Sequence, residues 1–148
     1  MRQYAALKDF KMALSFSASL RTARAAAITA ALDAASPTPG YIEFYNGSRP
    51  GTGVAVTSQT LLGTITLGLP SSTASNGVLT FTTTTQDLYV DSDGTITWAR
   101  ISDGSGGFVM DASCGLSGSG ADFIFNSVDA LEGGILKLNS GAITEGGV

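Results

Sequence analysis

Beyond Pro39 the apolar residues of this chain recur at every second position, and Gly-rich turns cut the alternation into short runs. That pattern restricts the fold more than any other feature, because side chains alternate between faces only along an extended strand. Tyr41–Tyr45 sets Ile42 and Phe44 on one face, and Asn46-Gly47 supplies a turn behind it. Leu61–Leu69 places Ile65, Leu67 and Leu69 opposite Thr64 and Thr66, and Val78–Thr85 places Leu79 and Phe81 opposite Thr80 and Thr82. Leu88–Val90 is short and ends at Asp91-Ser92-Asp93-Gly94, a hairpin signal. Thr95–Ile101 alternates Ile96 and Trp98 with Thr95 and Thr97, and Asp103-Gly104-Ser105-Gly106-Gly107 turns the chain into Phe108–Ala112. Phe123–Phe125, Ile135–Leu138 and an edge at Ala142–Thr144 complete the series. The spacing predicts a mainly β body over residues 41–148, a jelly-roll-like antiparallel β-sandwich.

Ahead of that body the period is helical. Residues 17–36 form one Ala-rich helix, with Ser17 or Ser19 as its N-cap. Leu20, Ala23, Ala27, Ile28, Ala31 and Ala35 share a broad face that is expected to lie on the sheet. Arg24 projects from the middle of that face, either as a snorkelling stem or as a paired interface arginine. Ser36-Pro37-Thr38-Pro39-Gly40 stops the helix. Residues 1–16 have no secure period and read as an extended amino-terminal arm carrying Tyr4, Leu7, Phe10, Leu14 and Phe16. Met12-Ala13 would also serve as a start site, so residues 1–11 read as an extension. So much apolar surface on an arm calls for cover, on its own body or on a neighbour, and the neighbour is the expectation. The whole is one domain.

Composition narrows the chemistry. The chain has no histidine, one cysteine and a net charge of −4, with charged residues at 14%. Acid–base, nucleophilic and metal chemistry are left with few groups, so no enzyme and no cofactor is expected. Cys114 can form no intrachain disulfide and reads as a small buried hydrophobe. The acidic balance argues against nucleic acid. No stretch reaches the length of a membrane span, and Arg21 and Arg24 interrupt any export signal, so the protein is expected to be intracellular when made. Charge is divided along the chain. Arg2, Lys8, Lys11, Arg21 and Arg24 face only Asp9 in residues 1–24, whereas Arg49, Arg100 and Lys137 face eleven carboxylates in the remainder. A cationic front end on an acidic body reads as a module that clips onto something larger.

Several local motifs invite chemistry and each has a plainer reading. Asp87, Asp91 and Asp93 could hold calcium, but Gly94 comes too early for a calcium-binding helical hand and a solvated turn fits better. The clusters Gly104-Gly106-Gly107, Gly115-Gly118-Gly120 and Gly133-Gly134 open no helix after a strand, so they are turn glycines rather than phosphate loops. Asp103 and Asp111 as glycosidase carboxylates lack a sugar-binding aromatic platform around them. Trp98 reads as the central core residue, and Arg49 as a loop charge or an ion pair across a subunit boundary.

One set of segments carries a resemblance. Leu20-Arg21-Thr22-Ala23-Arg24-Ala25, Tyr41-Ile42-Glu43-Phe44-Tyr45-Asn46-Gly47-Ser48-Arg49-Pro50, Gly77-Val78-Leu79-Thr80-Phe81, Thr97-Trp98-Ala99-Arg100 and Leu138-Asn139 occur in this order. Over residues 14–146 they resemble a family of small proteins encoded among the virion structural genes of tailed bacteriophages. The resemblance implies a virion component, and the expectation is a capsid decoration (cement) protein on the outer head surface. Its partners would be the major capsid protein and neighbouring copies of itself, as a dimer or trimer, with no nucleic acid and no membrane. The expected interface comprises Arg2, Leu7, Lys8, Phe10, Lys11, Leu14, Phe16, Arg21 and Arg24, with Arg49 on the body. Rival readings are a tail, baseplate or receptor-binding part, and a carbohydrate-binding module using Tyr41, Tyr45, Tyr89 and Trp98.

Overall fold

The period-two runs become strands, and the long central one folds the sheet over on itself. A computed structural model describes residues 15–83, 89–138 and 141–146. The described residues form one helix, α1 (Ala18–Leu32), followed by β1 (Tyr41–Asn46), β2 (Thr60–Ser75), β3 (Val78–Thr83), β4 (Gly94–Thr95) and β5 (Trp98–Ser102). Then come β6 (Phe108–Leu116), β7 (Phe123–Phe125), β8 (Asp129–Ala130) and β9 (Ala142–Thr144). Seven strands form one sheet in the order β7-β6-β5-β1-β2-β3-β9, and β4 pairs with β8. The fold is mainly β, a curled jelly-roll-like arrangement with one helix.

The curl is made by β2. Its first half pairs with β1 from Thr60 to Thr66, its second half with β3 from Ser72 to Ser75, and the register shifts between Leu67 and Ser72. Pro70 lies inside that shift, where its missing N–H breaks the ladder. The two halves therefore face one another across a core. Phe123 of β7 lies 6.4 Å from Phe44 of β1 and 6.1 Å from Phe81 of β3, ring centre to ring centre, so strands distant in the sheet order meet through one side chain. Ile42, Phe44, Leu62, Ile65, Leu67, Leu79 and Ile101 are fully buried around it. The hairpin from β2 to β3 is tight, with Asn76 and Gly77 both at positive φ (51° and 78°) as a two-residue turn of this hand requires.

Helix α1 lies on β2 and β3 by a different face from the one its apolar residues mark. Ala25 and Leu32 are buried, Ile28 is half-buried, and Leu20 is 45% exposed along with Ala23, Ala27 and Ala31. Polar groups set this rotation. Thr22 Oγ1 accepts the Gly77 N–H at 2.9 Å, Thr29 Oγ1 bonds Ser72 Oγ at 2.7 Å, and the Asp33 carboxylate accepts the Ser71 N–H at 3.0 Å. These donors and acceptors occupy the turn and the register shift, where no strand satisfies them. Leaving such groups buried and unpaired costs about 1–3 kcal/mol each, more than an alanine face gains by burial. Ser17 is the N-cap, accepting the Leu20 N–H at 3.2 Å.

Other departures are local. Asn46-Gly47 does not close a hairpin; it opens the connection 47–59. Thr95–Ile101 is broken, because β4 leaves the sheet for β8 while Thr97 donates from N and Oγ1 to Tyr45 O and Gly47 O. Tyr89 and Val90 lie in no strand, and of Ile135–Leu138 only Leu136 makes an isolated bridge. One pair, β6 with β7, is parallel rather than antiparallel. The chain returns to it through Gly118 and Gly120, at φ 83° and 75°, and Asp122 fastens the return by accepting the Ser113 N–H and Oγ–H at 2.8 and 2.7 Å.

Candidate interaction surface

The expected interface divides three ways. Arg2, Leu7, Lys8, Phe10, Lys11 and Leu14 lie outside the described residues. Phe16, Arg21 and Arg24 come together at the start of α1. The Arg24 guanidinium stands 5.3 Å from the centre of the Phe16 ring and reaches Glu145 Oε2 at 3.0 Å. Arg24 is thus a paired arginine, and its partner belongs to its own chain. The Arg21 stem runs against the Gly77 backbone, and its Nε is buried without a hydrogen-bond partner. Arg49 is not in this group. It is exposed in the connection 47–59, where its charge adds to the Ser113 hydrogen bonds that hold Asp122 below the usual carboxylate range.

A second cluster, on the outer face of β1, β5 and β6, is closed. Each residue of β5 is buried. Ala99 and Ile101 enter the sandwich core, so Trp98, Arg100 and Ser102 point to the opposite face by strand alternation. Trp98 is therefore not the centre of the main core. It stacks on Tyr45 at 4.6 Å with 13° between the rings. Arg100 grips Asp111 in a bidentate pair at 2.8 and 3.0 Å and donates to Val54 O at 2.9 Å. Its guanidinium also lies 5.5 Å from the Trp98 ring centre and 5.1 Å from that of Phe108. The hydrogen bonds that Arg100 donates to Asp111 raise the Arg100 pKa against the opposing effect of burial. Burial, with Glu43 beside it, raises the Tyr45 phenol. Asp111, once a candidate carboxylate, is a structural counter-ion here.

The remaining polar candidates are also spent on the fold. Asp103 Oδ1 accepts from Ser105 N, Ser105 Oγ and Gly107 N at 2.7–2.8 Å, which lowers its pKa and ties its glycine turn. Asp93 Oδ1 accepts the Glu132 N–H at 2.7 Å. Asp87 lies outside the described residues, among which no three metal-capable side chains converge. Burial, and then the Asp122 charge, pushes the half-buried Cys114 thiol up to about 12. No helix among the described residues is long and apolar enough to cross a membrane.

What the fold leaves open includes large aliphatic side chains beside polar ones. A groove of about 530 Å³ runs beside β7 and β8, floored by Val90, Ile96 and Leu136. Ile124, Leu131 and Ile135 line it while 53%, 69% and 64% exposed. Tyr89, adjoining Val90, is 74% exposed. Asp129 and Lys137 also line the groove, and the exposed Asp91 and Glu132 adjoin its lining residues Val90 and Leu131 in the chain. The sugar-binding candidates do not converge: Tyr45 and Trp98 are buried, Tyr41 is half-buried and Tyr89 is exposed.

No protein-family model, no curated protein and no solved structure matches this chain. The site therefore rests on its own geometry.

Sequence reasoning missed the groove. Leu131 and Ile135 flank Glu132-Gly133-Gly134, and the signal was there: large aliphatics inside a glycine turn have no strand to bury them.

Proposed function

We propose that this chain is a virion structural protein of a tailed bacteriophage, a decoration (cement) protein that binds the outer head surface and bridges major capsid subunits. It would be made in the host cytoplasm and act beside neighbouring copies of itself. The observation that carries the reading is the contrast between its polar and apolar groups. Arg100, Asp111, Asp103, Asp122 and Arg24 are engaged within the fold, while Ile124, Leu131 and Ile135 stand open together. A molecule so arranged works by adhering. The cationic arm, with Leu7, Phe10 and Leu14, supplies apolar anchors and charge against an acidic capsid surface. Repetition over a capsid lattice then turns modest single contacts into lasting attachment.

The test is to mix the purified full chain with emptied phage heads and with isolated tails, and to image both. Coating of heads that weakens as salt rises is the expected result. Attachment to tails alone, or to neither particle, overturns the reading.

A further inference from the structure

We propose that Asn46 is a site of spontaneous deamidation, through a cyclic imide closed by the Gly47 nitrogen, and that the fold shields Asn76-Gly77 from the same reaction. These are the two Asn-Gly pairs of the chain. A glycine next in sequence has no Cβ to block the approach of its own nitrogen to the asparagine side chain. By that criterion the two pairs are equals, and the fold separates them. Gly77 is buried in the two-residue turn between β2 and β3, clamped by the paired neighbours Ser75 and Val78, with the Arg21 stem against it. Its N–H donates to Thr22 Oγ1 of α1 at 2.9 Å, so the nitrogen that would attack is bonded and shut away from solvent base.

Gly47 differs on each point. It is exposed just past the end of β1, at φ 92°, where the irregular connection 47–59 begins. Among the described residues its N–H donates no hydrogen bond, and the Asn46 side-chain amide makes none. The fold holds the Gly47 carbonyl instead, which accepts the Thr97 Oγ1–H at 2.7 Å. The reaction balances with water alone. The Gly47 nitrogen loses its proton to solvent base and attacks Asn46 Cγ. The N–Cγ bond forms, Cγ–Nδ2 breaks, and Nδ2 leaves as ammonia with a proton returned from solvent. Water then opens the imide at either carbonyl, giving aspartate or an isoaspartate whose main chain runs through Cγ. One water enters the imide, one ammonia has left, and one negative charge is added at the end of β1. The isoaspartate form also lengthens the main chain by one carbon directly ahead of the Thr97 hydrogen bond.

The experiment incubates the full chain in mildly alkaline heavy-oxygen water, folded and in urea, and follows both sites by peptide mass spectrometry. In the folded protein Asn46 is expected to convert, taking up heavy oxygen, at least about fivefold faster than Asn76. That is the ratio sustained by a hydrogen bond of roughly 1 kcal/mol. In urea the two rates should converge. Thr22→Ala frees the Gly77 amide and should speed Asn76 several-fold while leaving Asn46 unchanged; Thr22→Ser should keep the parent rates. Asn76 reacting as fast as Asn46 in the folded parent overturns the proposal, and so does an Asn46 that reacts only in urea. An Asn76 rate indifferent to Thr22→Ala, in a variant whose circular dichroism stays native, overturns the shielding. The parent comparison requires no variant, so it decides the matter even where Thr22→Ala unfolds.

Discussion

The outer face of β5 and the groove beside β8 are treated in opposite ways by the same short chain. Over β5, an arginine, a carboxylate and the Tyr45 and Trp98 rings are buried, with the arginine bonded on several sides, one of them to Val54 O in the connection 47–59. Beside β8, strands shrink to two residues and aliphatic side chains remain in solvent. The first region spends its chemistry on holding the sheet together. The second leaves large aliphatic side chains exposed. The lesson is that polarity alone does not mark a working surface; what matters is whether the groups are already engaged.

The sharpest way to break this comparison is truncation in each region. Phe44→Ala, at the fully buried meeting point of β1 and β7, should cost about 4 kcal/mol in urea unfolding. Leu131→Ala should stay within about 0.5 kcal/mol of the parent, since the side chain is already in water. Equal losses would mean that the groove belongs to the core.

Next in size is Asp111→Ala. It strands the Arg100 guanidinium in a site where the two side chains are 10% and 3% exposed, and should cost about 3 kcal/mol. Chemical denaturation of the variant measures it, and a change below 1 kcal/mol would mean that the pair is hydrated in solution.

The smallest effect concerns acid. Hydrogen bonds from Ser113 hold Asp122 below its ordinary carboxylate value, and those from Ser105 and Gly107 do the same for Asp103. Their stabilisation is complete above the unfolded value near pH 4 and is withdrawn as pH falls through the lower folded value. Unfolding midpoints followed from pH 6 to pH 2 should decline less steeply in Asp122→Asn than in the parent. Parallel curves would show that the carboxylate is not held in solution.

Much of the fold was legible because its cause is local. Ile42 and Phe44, Leu79 and Phe81, and Phe123 alternate as strands must, whereas the helix expected to run to residue 36 ends at Leu32 with Asp33 as its cap, ahead of the prolines. The rotation of α1 was not legible, because Thr22, Thr29 and Asp33 answer to donors and acceptors at Gly77, Ser72 and Ser71, distant in the chain. Trp98 was placed inside correctly but in the wrong layer, since alternation assigns opposite faces without saying which face is covered by a loop. The groove followed the same logic: Leu131 and Ile135 announced a lack of burial, but only the fold brought Ile124 beside them.

The sequence by itself determined a β body of short strands, one helix before it, a cationic front end and a scarcity of reactive groups. Those follow from periodicity, steric rules at proline and glycine, and charge, which act over a few residues. Only tertiary structure decided which way the helix faces, that Arg100 and Asp111 neutralise one another, and that Ile124, Leu131 and Ile135 line one groove. Each of these depends on pairing between distant segments, where satisfying buried polar groups outweighs the hydrophobic pattern of any one of them.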